Sequence, residues 1–301
     1  MLFDCAIIGG GPAGLNAALV LGRARKNVMV FDENKPANAA TQHSYGFLTR
    51  DGISPSEFRN IAHQEISAYP SVDMQHTRVT DVRRYDGSSF ELVTSGGEVF
   101  YAKTILLATG VQITLPVVDG IQDYFGTSLF VCPYCDGWEL RDKPLVIISD
   151  GQSPFHLATV VQNWSRNLLV CTNGHPVLTQ EQKETLHRNE IQVVEDKIVA
   201  LAGKQGKLER IVFATHEESM REGGFVVGQA HQASSFGAIL GCDMNAQGGI
   251  VIDGFGRTTV KGVYAAGDTS IGGPSQLIIA ASEGSKAAAG VTMDLIQRES
   301  R

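Results

Sequence analysis

The chain has 301 residues, of which 43% are hydrophobic and 19% charged, and a formal net charge of −7. That length suits two domains and supplies a sizeable core without disulfide staples. The acidic balance, with no run of lysine or arginine, argues against a nucleic-acid surface, and no apolar run is long enough to span a membrane.

The first elements read strand, glycine turn, helix, strand. Cys5-Ala6-Ile7-Ile8 is an apolar run with no basic leader that passes straight into glycines, so it reads as a buried strand and not a signal peptide. Gly9, Gly11 and Gly14 carry the G-x-G-x-x-G spacing, with Gly10, Pro12 and Ala13 between them. Leu15 to Ala24 is rich in alanine and leucine and reads as a helix, and Asn27 to Phe31 as a second strand ending at Asp32. Each part has a task. Gly9 permits the tight turn, Gly11 lets backbone approach a pyrophosphate, and Gly14 brings helix and strand together. The helix N-terminus faces the phosphates, and Asp32 stands where an acid would meet a ribose hydroxyl. With strand, helix and acid in place, the spacing predicts dinucleotide binding.

Thr104 to Leu107 forms another apolar strand, which stops in the small-residue turn Ala108-Thr109-Gly110; on its residues alone this is a buried strand and a turn. Leu115-Pro116 to Gly120 reads as a crossover between domains. Then comes Cys132-Pro133-Tyr134-Cys135, followed by Asp136. A Cys-x-x-Cys pair alone is ambiguous between a redox dithiol and half a metal site. No second such pair and no closely spaced histidines accompany it, so no metal site is expected. Of the five cysteines, Cys5 and Cys171 sit in apolar runs as small buried hydrophobes, and Cys242 is given no role. An odd, sparse set does not make a secreted disulfide framework, and a reducing cytoplasm is the expected setting.

Pro144 to Ile148 is the next strand, Ser149 to Pro154 its turn, and Asn167 to Val170 the strand that completes a second βαβ unit. Gly262 to Asp268 is a third landmark, followed by a glycine-rich loop, an alanine-rich helix from about Ser275 to Gly290, and a polar tail, Gln297 to Arg301, expected to fray. The fold class is α/β, with two nucleotide-binding units in one chain.

Taken together, these landmarks resemble the low-molecular-weight thioredoxin reductases, which are FAD-dependent pyridine nucleotide-disulfide oxidoreductases, over nearly the whole length. Gly9, Gly11, Pro12, Ala13 and Gly14 match that family's FAD fingerprint, and Ala108, Thr109 and Gly110 its ATG motif. Gly267 and Asp268 match its second FAD motif, and Gln276 matches a position bordering the isoalloxazine. Cys132 and Cys135 match the redox pair and Asp136 the acid after it. The resemblance implies two Rossmann-like, three-layer ββα domains. A discontinuous FAD domain would cover 1–113 and 239–301, and an inserted NAD(P)-type domain, 114–238, would carry the dithiol. It implies a homodimer, and as partner a thioredoxin-like protein or a small-molecule dithiol or disulfide. Cys135 would face the flavin and Cys132 would exchange with the substrate.

The second turn departs from this pattern. The family reads G-x-G-x-x-A there and H-R-R after the next strand; this chain has Ser149-Asp150-Gly151-Gln152-Ser153-Pro154 and Cys171-Thr172-Asn173-Gly174. Asp150 puts negative charge where a pyrophosphate would lie, and no arginine waits for a 2′-phosphate. Either NADPH is held by other residues, or the nicotinamide donor is lost. Cys-Pro-Tyr-Cys with Gly137-Trp138-Glu139, and the loop His43 to Gly52, also look like the dithiol oxidases of the gliotoxin and holomycin type, which pass electrons through FAD to oxygen. Those relatives often carry His where this chain has Asp136. Relatives fed by ferredoxin or by another flavin form a further possibility.

The expected function is therefore an FAD-dependent dithiol/disulfide oxidoreductase without the usual NADPH site. The alternatives are an NADPH-dependent thioredoxin-disulfide reductase and a flavin-bound redox sensor. Asp136 is a candidate acid/base if burial raises its pKa; its structural alternative is a helix N-cap. His43 reads as a solvated loop histidine that could face the site, Tyr134 and Trp138 as packing aromatics that could wall the dithiol, and His175 and His231 as loop histidines without visible partners.

Overall fold

A computed structural model describes residues 1–270 and 275–300. Ile271 to Pro274, part of the expected glycine-rich loop, and Arg301 at the end of the tail lie outside the described residues.

The chain divides into two compact units. One comprises Met1–Ala39, Gly46–Gln112 and His231–Arg301, the other Ala40–Tyr45 and Ile113–Ala230. The later crossing precedes the expected 238/239 boundary because Phe236 is buried in the first unit's core with Phe3, Val82 and Leu92. The short segment 40–45 joins the second unit because its Ala40 carbonyl packs on Gly126, where a Cβ would come within 2.2 Å of it.

Both units have the same three layers. In the first, a five-stranded parallel sheet runs in the order Val263–Ala265, Ile105–Leu107, Cys5–Ile8, Val28–Phe31, Val72–Gln75. The four residues Cys5–Ile8 are all buried, as expected for a strand covered on both faces. Their side chains alternate between two cores. Cys5 and Ile7 pack with Leu15, Ala18 and Leu21 of the helix Pro12–Arg23 and with Ala287 and Val291 of the helix Leu277–Glu299. Ala6 and Ile8 pack against Val79, Val82, Phe90 and Leu92 of a second, four-stranded sheet.

The second unit repeats the plan. Its parallel sheet runs Leu129–Phe130, Gly223–Val226, Leu145–Ile148, Leu168–Cys171, Gln192–Val194. Leu145 and Ile147 face Ala158, Val161 and Leu186 on its helices, whereas Val146 and Ile148 face Ile198, Leu201 and Ile211 of a three-stranded antiparallel sheet. The architecture is two Rossmann-like ββα units, as the resemblance implied.

The expected frayed tail is a correction. Gln297, Arg298 and Glu299 continue the long helix, because Arg298 donates to the Lys103 carbonyl at 3.2 Å and Lys103 reaches Glu299 at 3.7 Å. Nearby, Asp294 ties this helix to the sheet. It accepts three hydrogen bonds from Arg257, two at 2.9 Å and one at 3.2 Å, and another at 2.5 Å from the hydroxyl of buried Tyr264.

Tyr264→Phe removes one hydrogen bond to a charged acceptor. It is expected to destabilise by about 1.5–3 kcal/mol and to lower the melting temperature by several degrees. An unchanged melting temperature in calorimetry would remove this tie from the account.

Candidate functional site

The glycine turn follows directly from close backbone contacts. Gly9 has φ 118°, and a Cβ there would lie 2.1 Å from the Ala108 carbonyl oxygen. A Cβ on Gly14 would lie 1.9 Å from the Gly9 carbonyl oxygen, so the helix starts hard against the strand. Gly11, by contrast, has nothing within 4 Å of its would-be Cβ. It occupies the N-cap position of the helix Pro12–Arg23, with Pro12 first and no side chain capping the amides. An open approach to uncapped helix amides is what a pyrophosphate requires, so these residues fit a dinucleotide.

Gly10, which the spacing left without a task, packs on Asp32: a Cβ would come within 2.4 Å of its carboxylate. Asp32 is buried at the end of its strand, where its carboxylate accepts from the Asn34 amide at 3.0 Å and from the Arg59 guanidinium. Arg59 also donates to the Asn34 side chain at 2.7 Å, while its Nε is buried without a partner. A carboxylate has about four acceptor sites, so these two bonds leave room for a ribose hydroxyl.

Two of the other expected residues reach the same turn, and the rest are held by partners of their own. Ala108 touches Gly9, and Gly267 approaches Ala13, where a Cβ would come within 2.9 Å of the Ala13 Cβ. Gly110 donates to Thr269 at 2.8 Å, and Thr109 shares a 3.1 Å hydrogen bond with Ser234. The Gly267 amide donates to Glu283 at 2.7 Å, and Ser275 donates to Asp268 at 2.5 Å. Gln276 stands at the N-cap of the helix Leu277–Glu299, again with no side-chain cap. Arg59, Glu283, Thr269 and Ser234 carried no signal in the sequence, because none belongs to a spacing motif.

In the second unit Cys132 and Cys135 form a disulfide, with Cα atoms 5.3 Å apart and both residues half-buried. The four-residue helix Pro133–Asp136 holds them, with Cys132 itself at the N-cap position and Pro133 first. Asp136 is therefore not the cap; it lies at the end of the turn, and its amide donates to the Cys132 carbonyl at 3.1 Å. Asp136 is buried, and desolvation, followed by the nearby charge of Glu139, pushes its carboxyl up to about 7.

Tyr134 and Trp138 are each 65% exposed, so neither packs in the core. Tyr134 meets Trp164 edge-on at 5.4 Å, and Arg141 stacks on Trp138 at 4.1 Å. His43 is exposed, with its ring 6.1 Å from that of Tyr45. Among the described residues no cluster of His, Cys, Asp or Glu could hold a metal ion, and no helix is long and apolar enough to cross a membrane.

The second unit's own turn differs from the first. Ser149 is fully buried, and its hydroxyl donates to the Gln152 carbonyl. Asp150 accepts from the Val117 amide at 3.1 Å and from the Asn173 side chain at 3.4 Å, and lies 2.7 Å from His175 Nε2. His175, which showed no partner in the sequence, thus has one. The helix after the turn, Phe155–Val161, begins from Pro154.

A family model described as pyridine nucleotide-disulphide oxidoreductase matches residues 3–284. Among solved structures, a Bacillus anthracis protein provisionally assigned as thioredoxin reductase TrxB matches with a TM-score of 0.94 at 44% identity, over 99% of each chain. HlmI matches with a TM-score of 0.93 at 31% identity, over 99% of this chain and 93% of its own. Thioredoxin reductase aclD of Aspergillus oryzae is 28% identical over 98% of this chain and 96% of its own.

Two outcomes test the site. Gly14→Val should fail to fold, whereas Gly11→Val should keep the wild-type circular dichroism spectrum but lose bound flavin, read as absorbance per chain; full flavin content in Gly11→Val would remove the turn from the binding site. The second concerns Asp136. Folded, it keeps its proton up to about pH 7; unfolded, it releases it at about pH 4. The folded state binds the extra proton between those values, so stability falls as pH rises through that window. Asp136→Asn should therefore raise the melting temperature more at pH 8 than at pH 5, and an equal change at both would contradict the buried, proton-holding carboxyl.

Proposed function

The chain belongs to the pyridine nucleotide-disulphide oxidoreductase family and is a flavoprotein disulfide oxidoreductase. On that premise we propose that it passes electrons between FAD and the Cys132–Cys135 pair and takes them from a dithiol instead of from NADPH. The glycine turn and Asp32 would hold the FAD nucleotide, with Ala108 to Gly110, Gly267, Asp268 and Gln276 completing its site. The bound flavin supplies a two-electron acceptor.

The chain's own residues account for the thiol chemistry. A substrate thiolate attacks Cys132 Sγ; the protein disulfide breaks and Cys135 leaves as a thiolate. A second substrate thiolate then attacks its own sulfur in the mixed disulfide and frees Cys132. The substrate leaves as a disulfide, two electrons remain on the protein pair, and two protons are released. Asp136, whose carboxyl is pushed up to about 7 at the end of this turn, is present near neutrality in both its ionised and its protonated form, so its carboxylate is suited to take up one of them and pass it on.

The observation that carries the choice of donor is Asp150. A carboxylate engaged by His175, Asn173 and Val117 stands at the turn where a nicotinamide dinucleotide would place its phosphates. The thiol partner would be a thioredoxin-like protein or a small dithiol, and the assembly a homodimer. Cys5, Cys171 and Cys242 are free, buried thiols, which supports a reducing cytoplasm.

The FAD-loaded protein, mixed anaerobically with a small dithiol, should bleach, and its flavin colour should return in air; with NADPH it should not bleach. Rapid bleaching by NADPH would favour the alternative, an NADPH-dependent thioredoxin-disulfide reductase. Cys135→Ser should keep FAD but lose bleaching by dithiol; bleaching at the wild-type rate would end the redox-pair assignment.

A further inference from the structure

In a doubly wound sheet the phosphates of a dinucleotide lie outside the carboxyl ends of the strands, against the turn after the first strand. In the second unit the strands Leu145–Ile148 and Leu168–Cys171 are parallel neighbours whose last residues, Ile148 and Cys171, pair with one another. The turns that follow therefore start side by side. The first contributes Asp150; the second contributes Asn173 and His175. The crossover segment contributes the Val117 amide.

On Asp150 these groups form one converging set. Oδ2 accepts from the Val117 amide at 3.1 Å; Oδ1 accepts from Asn173 Nδ2 at 3.4 Å and lies 2.7 Å from His175 Nε2. Asn173 is itself fixed. Its backbone has φ 51°, and its side-chain oxygen accepts from the Ile198 amide at 3.0 Å. A backbone amide, a side-chain amide and an imidazole are the donors that a phosphate oxygen also takes. Gly151, next to Asp150, has nothing within 4 Å of its would-be Cβ, so the turn is not crowded from the other side.

We propose that Asp150 is an intramolecular stand-in for a diphosphate: it occupies an anion site built by Val117, Asn173 and His175, and so excludes dinucleotides from the second unit. This rests on the donor reading above and adds to it that the site is filled, not dismantled. A bound carboxylate uses the donors and, by its charge, repels a second anion.

The test is titration of the full-length, FAD-loaded protein with inorganic pyrophosphate in a calorimeter, at fixed ionic strength, with flavin absorbance confirming that FAD stays bound. Wild type should show no saturable binding at millimolar pyrophosphate. Asp150→Gly should bind at least about tenfold more tightly, the gain expected from freeing charge-accepting donors. Adding His175→Ala should abolish that gain. Should Asp150→Gly lose its melting transition, Asp150→Ser, which keeps a small acceptor for Val117, serves in its place. A folded variant that binds no better than wild type, or a gain that survives His175→Ala, would overturn the proposal. Bleaching of the wild-type flavin by NADPH would defeat the donor reading. An unimproved pyrophosphate affinity would defeat the stand-in alone.

Discussion

Backbone lies directly on backbone at the start of the first unit, and the site depends on it. The Gly9 turn leaves no room for a Cβ against the Ala108 carbonyl, and Gly14 leaves none against the carbonyl of Gly9. This lets a helix begin immediately over the carboxyl edge of the sheet, with its amides directed outward. Three segments distant in sequence then reach the same turn: Ala108 against Gly9, Asp32 against Gly10, and Gly267 against Ala13. A larger residue at Gly9 or Gly14 would separate the helix from the strand and scatter these partners.

The two units share one architecture but differ at the equivalent turn. In the first, Gly11 is open and the helix after it is long and uncapped. In the second, a carboxylate stands in the turn and the helix after it is seven residues long. The second unit also carries the dithiol, on a four-residue turn with half-buried sulfurs and a buried acid, and the rings of Tyr134 and Trp138 nearby in sequence are exposed. Burial serves opposite ends in the two acids. Asp32 is buried with a guanidinium beside it, whereas Asp136 is buried near another carboxylate, Glu139, and its carboxyl is pushed up to about 7.

Much of this was legible in the sequence where a local rule governs. Cys5–Ile8 and Leu145–Ile148 read as strands because both faces are covered, which makes their composition uniformly apolar. The glycine spacing and the Cys-x-x-Cys pair are likewise local. What stayed hidden depends on register between distant segments. Arg59 sits on the helix Pro55–Ser67 with no motif around it, and only folding brings it to Asp32. His175 meets Asp150 because two strands end together, not because of any spacing between them. The tail misled for a related reason: a polar composition suggests fraying, but Arg298 finds a carbonyl on a remote segment. Asp136 was identifiable as a candidate, but whether it capped a helix or was buried turned on where that helix begins, one residue after Cys132.

The sheet order of the first unit also bears on how the chain is made. Its outer strand Val263–Ala265 pairs with Ile105–Leu107, and the helix Leu277–Glu299 covers the same face as Pro12–Arg23. Both late elements leave the ribosome after the whole stretch Ile113–Ala230 has been synthesised. A domain folds as a unit once its residues are available. The second unit, nearly continuous in sequence, therefore has its core complete while the first still waits for a sheet edge and a covering helix. A nascent chain stopped before Val263 would display an unfinished parallel sheet, the kind of exposed edge that chaperones recognise.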